Sequence, residues 1–321
     1  MSTILLWGLP GDKPIAQVRD ALRRHSTRTV FFDQRDVLQA ELEITECEQI
    51  DGLLCIGDET LDLAEISAVY MRLYSPAQLP RLSGLTPTDP ALRHANAIHE
   101  GLVGWSEVTP ALVVNRTSAM ASNGSKPYQL GILRNGGFEV PATLLTTDPA
   151  AAREFWQKHE VVVYKSISGV RSAVSRLSAE HEPRLERVRW CPTQFQQFVP
   201  GTDYRVHVVG DAVFAAEIDS PADDYRYARQ QGANVEIRAY ALAADIADRC
   251  RALTRYLGLA VSGIDLRRHP NGAWYCFEVN PSPAFSYFQD ATGQAIDRAI
   301  ADLLAGETAV STAPIGKKEL R

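Results

Sequence analysis

Apolar positions along the 321-residue chain fall into short runs separated by amphipathic stretches, the pattern of a layered α/β protein. In the first third, residues 4–8, 29–32 and 68–73 read as strands, and 52–56 and 59–63 as a hairpin turning at Gly57-Asp58. Residues 14–24 read as a helix with Ile15, Val18 and Leu22 on one face, and 89–105 as a longer helix. A strand at 112–114 leads into a helix with Ser125 as N-cap, Pro127 in its first turn and Gly136-Gly137 at its end. Strands follow at 161–165, 173–177 and 193–199, and 204–209 pairs with 212–218 through Gly210-Asp211. Residues 241–257 carry the stripe Leu242, Ile246, Cys250, Leu253 and Leu257, a core-packing face, and 291–304 form the last helix. Residues 306–321 lack periodicity and read as a mobile tail.

The stretch 263–290, GIDLRRHPNGAWYCFEVNPSPAFSYFQD, changes this picture from fold to chemistry. Its two strand-like runs meet at Asn271-Gly272, a pair that tolerates the positive φ of a two-residue hairpin loop. That loop sets Arg267 opposite Cys276 and Asp265 opposite Glu278, so Asp265, Glu278 and Asn280 share one face. Ile264, Leu266, Tyr275, Phe277 and Val279 then form the core face. Two carboxylates directly across a ladder repel unless a cation lies between them. Two acids plus an amide carbonyl form an all-oxygen set suited to Mg²⁺ or Mn²⁺, with water and phosphate filling the remaining positions. A solvated face neutralised by Arg267 or Arg268 accounts for the hairpin alone equally well.

Other candidate charges are spread along the chain. Lys126 sits at a helix N-terminus, where the macrodipole favours an anion. Lys165 ends a strand and is followed by SISGVRS, whose small residues let backbone N–H groups approach phosphate; no P-loop pattern is present, and by itself the run reads as an ordinary hairpin loop. Asp203 and Arg205 lie two apart on one strand face, and Arg226 falls in a polar loop. Arg72, in AVYMRLYSP, reads as an edge-strand arginine.

Composition narrows the class. A net charge of −6 argues against nucleic acid as the main partner. The first residues lack the charged and apolar regions of a signal peptide, and no apolar run reaches the roughly 18 residues needed to span a bilayer. Five scattered cysteines without a CxxC pair indicate reduced thiols and a cytoplasmic protein. No dinucleotide fingerprint, zinc pattern, nucleophile elbow or kinase set is found.

In order, NRTSAMASNGSKPYQL, VVVYKSISG, FQQFVPGTDYRVHVVG, DDYR and GIDL…FEVNPSP resemble the ATP-grasp superfamily, in its branch of RimK-like and glutathione-synthetase-like carboxylate–amine ligases. The resemblance covers about residues 112–305. AVYMRLYSP ahead of it is reminiscent of ligases that form side-chain macrocycles in ribosomal peptides. The resemblance implies an ATP-grasp fold of two α+β subdomains, 113–200 and 201–305, behind a small α/β domain at 1–112. It implies ATP and Mg²⁺ or Mn²⁺ as cofactors, and an amino acid or peptide supplying carboxylate and amine; relatives are often dimers or tetramers.

Carried over position by position, the family pattern puts Lys126 and Lys165 on the nucleotide phosphates, with Ser166, Ser168 and Gly169 in the loop that closes over them. Gln197, Phe198 and Val199 match the linker lining the adenine, and Asp203 a residue contacting the nucleotide. Arg205 and Arg226 match arginines near the transferred phosphoryl group, and Asp265, Glu278 and Asn280 match the metal ligands. The family usually has Glu at Gln197, and Ser-Asn where Tyr227-Ala228 follow Arg226. The implied reaction activates a carboxylate as an acyl phosphate, which an amine then attacks. A phosphotransferase or a non-catalytic nucleotide-binding scaffold are the alternatives.

Overall fold

Strand β1 (Thr3–Gly8) is buried along its whole length, which makes it an interior strand of a parallel sheet. The computed structural model describes residues 2–46, 50–166, 174–220 and 234–307. Helix α1 (Lys13–Leu22) follows, started by Asp12, whose carboxylate accepts from the Ile15 N–H, and by Pro14 in its first turn. Then come β2 (Arg28–Asp33) and an antiparallel meander that the sequence shows only in part: β3 (Ala40–Glu46), β4 (Ile50–Ile56) and β5 (Glu59–Asp62). Strand β6 (Ile66–Arg72), helix α2 (Pro90–Val108) and strand β7 (Leu112–Val114) complete the unit. The parallel order is β2-β1-β6-β7. Arg72 therefore ends an interior strand, not an edge strand. It stands beside Gly8 where the winding reverses between β1 and β6, the place where open α/β sheets form crevices.

The middle of the chain holds α3 (Thr117–Met120), α4 (Lys126–Asn135), β8 (Thr143–Thr146), α5 (Pro149–His159), β9 (Val162–Ser166), β10 (Ser175–Arg176) and β11 (Thr193–Gln197). The four strands form an antiparallel sheet in the order β10-β9-β11-β8. Helix α5, absent from the hydrophobic pattern, is marked instead by its cap: Asp148 accepts from the Ala150 N–H, and Pro149 opens the helix. Val162, Tyr164 and Phe195 face this helix and a 3₁₀ segment at 179–190. The opposite face carries Val163, Lys165, Gln194 and Gln196.

A five-stranded antiparallel sheet follows. Its members are β12 (Thr202–Val209), β13 (Ala212–Asp219), β14 (Glu236–Tyr240), then, after α6 (Ala244–Tyr256), β15 (Val261–Arg268) and β16 (Trp274–Asn280). The order is β14-β13-β12-β15-β16. One face packs on α4 and α6 through Val206, Val208, Ile264, Leu266, Cys276 and Val279 against Leu133, Ile246, Cys250 and Leu253. The last helix of the sequence reading is two helices, α7 (Ser286–Thr292) and α8 (Ile296–Leu304), broken at Gly293 in a left-handed conformation. Ile296, Ile300 and Leu303 of α8 return to Ile15 and Val18 of α1 and share their core.

Candidate active site

The β15–β16 turn differs from the sequence reading. His269 donates to the Ala273 carbonyl at 2.9 Å, so the loop is three residues, Pro270 to Gly272, with Gly272 at φ 90°. This moves the register by one: Arg267 faces Tyr275 and Leu266 faces Cys276. A β-bulge then inserts Phe277 and moves it back, so Asp265 still stands opposite Glu278, and Gly263 opposite Asn280. The bulge also explains why Cys276 and Val279, three apart, are both in the core. Tyr275 and Phe277, expected there, are only half-buried.

Strand β12 completes a lattice of rows across three strands. Asp203, Arg267 and Tyr275 form one row; Arg205, Asp265 and Glu278 the next; His207, Gly263 and Asn280 the third. In the middle row Arg205 Nη1 donates to Asp265 Oδ1 at 2.7 Å, with the arginine side chain 7% exposed and the aspartate 34%. The arginine fits because Gly263 has no side chain: a Cβ there would stand 2.2 Å from Arg205 Nη2 and 2.7 Å from Pro283 Cβ. The neutralising cation on this face is thus Arg205.

Arg267 serves another purpose. It binds Asp203 through two hydrogen bonds, Nε to Oδ1 at 2.6 Å and Nη2 to Oδ2 at 2.8 Å, and donates to the Val199 carbonyl at 2.8 Å. Its guanidinium lies 5.3 Å from the Phe277 ring centroid and 5.7 Å from that of Phe198. Arg176, from the other sheet, lies over the same Phe198 ring at 4.2 Å. The segment from Gln197 to Asp203 is therefore fastened to both sheets, and both Asp203 oxygens are turned to Arg267.

Lys165 pairs across the ladder with Gln194, and Val162 with Gln197. Gln194 is buried, and its Oε1 has no hydrogen-bond partner among the described residues. An acceptor left so beside a lysine suits a donor from a ligand. Sequence reading weighs Arg267 only as a neutraliser of the acidic face and passes over Gln194 and Gly263, which have signals only once strand partners are known. Ser166 is exposed at the end of β9, whereas Ser168, Gly169, Arg226 and the side chain of Lys126 lie outside the described residues.

The strand end that bears Glu278 and Asn280 is held by buried amides. Gln129 of α4 brackets Val279, donating from Nε2 to its carbonyl at 2.9 Å and accepting from its N–H at 3.2 Å. Asn115 donates from Nδ2 to the Pro281 carbonyl at 2.6 Å. Asp265, Glu278 and Asn280 are each half-buried and offer oxygen donors only, the chemistry a hard divalent cation takes. Asp265 Oδ1 accepts from Arg205 and Asn280 Oδ1 from the Ser282 N–H at 3.0 Å, so one protein hydrogen bond already orients each. The residues fit such an ion.

His207, next to Arg205 on β12, is buried under Phe288 of α7 with ring centroids 5.3 Å apart. Burial, and then the charge of Arg205, push its imidazole well below the usual histidine range, so it is neutral. Cys250 and Cys276 are core thiols; burial pushes Cys250 up to about 12 and Cys276 well above its ordinary value, which leaves neither as a nucleophile.

Residues 121–304 match the family model of the RimK-like ATP-grasp domain, more than half of the chain. A probable alpha-L-glutamate ligase of Xanthomonas campestris pv. campestris is 26% identical over 213 residues, 63% of this chain and 70% of its own. The RiPP-associated ATP-grasp ligase of Chryseobacterium gregarium, solved with ADP and a leader and core peptide, is similar with a TM-score of 0.83 at 23% identity, over 98% of this chain and 100% of its own. The ATP-grasp ligase PsnB, solved with a phosphomimetic variant of its minimal precursor, Mg and ADP, gives 0.78 at 26% identity, over 96% and 99%. Among the described residues no helix is long and apolar enough to cross a membrane. Taken with the family match, the paired sheets mean that the chain belongs to the RimK-like ATP-grasp family and is an ATP-dependent ligase that joins a carboxylate to an amine on an amino acid or peptide.

Proposed function

We propose that carboxylate and amine both belong to peptide side chains, and that the enzyme works on Mg²⁺·ATP held between the Lys165 face and the Asp265–Glu278 row. The observation that carries the nucleotide site is the row itself: Asp265 and Glu278 stand directly opposite one another on neighbouring strands, an all-oxygen pair of the kind a divalent cation takes. Support for a peptide comes from the degree of structural likeness. The ligases solved with peptides superpose with TM-scores of 0.83 and 0.78, whereas the D-cycloserine synthetase DcsG gives 0.58.

In this reading Asp265, Glu278 and Asn280 hold the metal, and Mn²⁺ satisfies the same donors. The bound ion neutralises the phosphate oxygens. Lys126 and Lys165 bind phosphates, with Ser166, Ser168 and Gly169 closing over them, and Gln197, Phe198 and Val199 line the base. Asp203 acts through Arg267, by fixing that linker. The substrate carboxylate attacks the γ-phosphorus and ADP leaves; the amine then attacks the acyl carbon, and phosphate leaves as the amine loses a proton. Arg205 and Arg226 offset charge on the transferred phosphoryl, and positioning with exclusion of water does the rest. We assign the reaction to the cytoplasm, and divide the chain at about residues 112 and 200.

The test is incubation with ATP, Mg²⁺ and a synthetic peptide carrying Glu, Asp and Lys side chains. The reading expects a peptide lighter by one water for each ADP released. ADP formation only with free glutamate and a separate amine would overturn the peptide assignment, and a stable phosphopeptide would overturn the ligation.

A further inference from the structure

The N-terminal sheet reaches the turn after Asn280 through Arg72. From the end of β6, its Nε donates to Asp12 Oδ1 at 2.8 Å, and its Nη1 to Ser282 Oγ at 3.0 Å and the Pro283 carbonyl at 3.3 Å. Ser282 passes the constraint on, since its N–H is the donor to Asn280 Oδ1. Pro283 passes it on too, because its Cβ packs at Gly263 where the Arg205 guanidinium lies. The ion pair is well enclosed, with side chains 12% and 8% exposed, and Asp12 is itself fixed as the cap of α1. Arg72 is thus anchored on one side and grips the turn on the other.

We propose that Arg72 is a positioning residue for the metal end of the site: by pinning the Ser282–Pro283 turn it orients the Asn280 oxygen and keeps Arg205 in place over Gly263. The inference rests on the reading of Asp265, Glu278 and Asn280 as metal ligands. Outer groups that orient a ligand lower the cost of ordering it on the ion, and their loss typically weakens metal affinity 10–100-fold. The planar fork of arginine spans an acid and two further acceptors at once, whereas lysine offers one point of charge.

The probe is Mn²⁺ in the presence of a non-hydrolysable ATP analogue, with free Mn²⁺ read by electron paramagnetic resonance. Arg72→Met is expected to weaken Mn²⁺ binding about tenfold, with Arg72→Lys recovering part of it. Ser282→Ala, at an exposed position, removes one link without disturbing the core and is expected to weaken binding several-fold. Asp12→Asn keeps the donors to Ser282 and Pro283, and is expected to lower thermal stability while binding Mn²⁺ nearly as the parent does. Glu278→Ala separates the two levels of the argument. Parental Mn²⁺ affinity in Arg72→Met and Ser282→Ala, with binding lost in Glu278→Ala, overturns the role of Arg72. Parental affinity in Glu278→Ala as well overturns the metal assignment itself.

Discussion

Arg205 and Asp265 face each other across neighbouring strands, 2.7 Å apart, and Glu278 stands opposite Asp265 on the next strand. Replacing Arg205 by Ala removes the charge from the reacting end and leaves the acids facing one another. ADP release is expected to fall about a hundredfold or more. Comparing turnover of Arg205→Ala and Arg205→Lys checks it; loss in Ala without recovery in Lys marks a need for the planar guanidinium, and parental turnover in Ala removes Arg205 from the site.

Gly263 makes that pair possible. A methyl group there meets Arg205 Nη2 at 2.2 Å and Pro283 Cβ at 2.7 Å, so Gly263→Ala must push the arginine off Asp265. The expected result is an activity loss like that of Arg205→Ala, with a stability loss of about 1–3 kcal/mol. Urea denaturation beside an ADP-release assay measures both.

The Arg267–Asp203 pair is largely enclosed, with side chains 13% and 20% exposed, and also holds the Val199 carbonyl. Arg267→Met removes two charged hydrogen bonds from Asp203 and frees the 198–203 segment. We expect a loss of about 3 kcal/mol in stability and a raised KM for ATP, while the KM for the peptide changes little. Steady-state kinetics with each substrate varied in turn tests this.

His207 sets a pH dependence. Its folded-state affinity for a proton is lowered from the ordinary 6.5 by burial and by Arg205, so the unfolded chain binds the proton more readily. Its native form is therefore favoured fully above pH 6.5 and loses ground as pH falls below that value. His99, lowered in the same direction by burial, adds to the trend. Thermal midpoints measured from pH 8 to pH 5 are expected to drop below about 6.5, and His207→Phe is expected to flatten that drop.

The facing of Asp265 and Glu278 is legible in the sequence, though for a mistaken local reason. Asp265 does face Glu278, but a three-residue turn displaces the register and the Phe277 bulge restores it. Neither device has a mark in the sequence, because Pro270 permits either loop and Phe277 is an ordinary strand residue. The partner of Asp265 was hidden because strand β12 lies some 60 residues away, and alternation alone shows only that Asp203 and Arg205 share a face. In sequence Arg72 reads as an edge residue, because strand order is set by crossovers, not by the composition of β6. Helix α5 lacked a clear apolar stripe, yet its Asp148-Pro149 cap could have revealed it.

Whether this site makes an acyl phosphate can be read most directly from oxygen atoms. A substrate peptide labelled with oxygen-18 in its carboxylates is turned over with ATP and Mg²⁺, and the released phosphate is weighed by mass spectrometry. The account predicts one labelled oxygen in each phosphate, equal in amount to the ADP and to the amide formed, and none in the Glu278→Ala enzyme. Unlabelled phosphate accompanying ADP would contradict it, because the carboxylate would then never have met the γ-phosphorus.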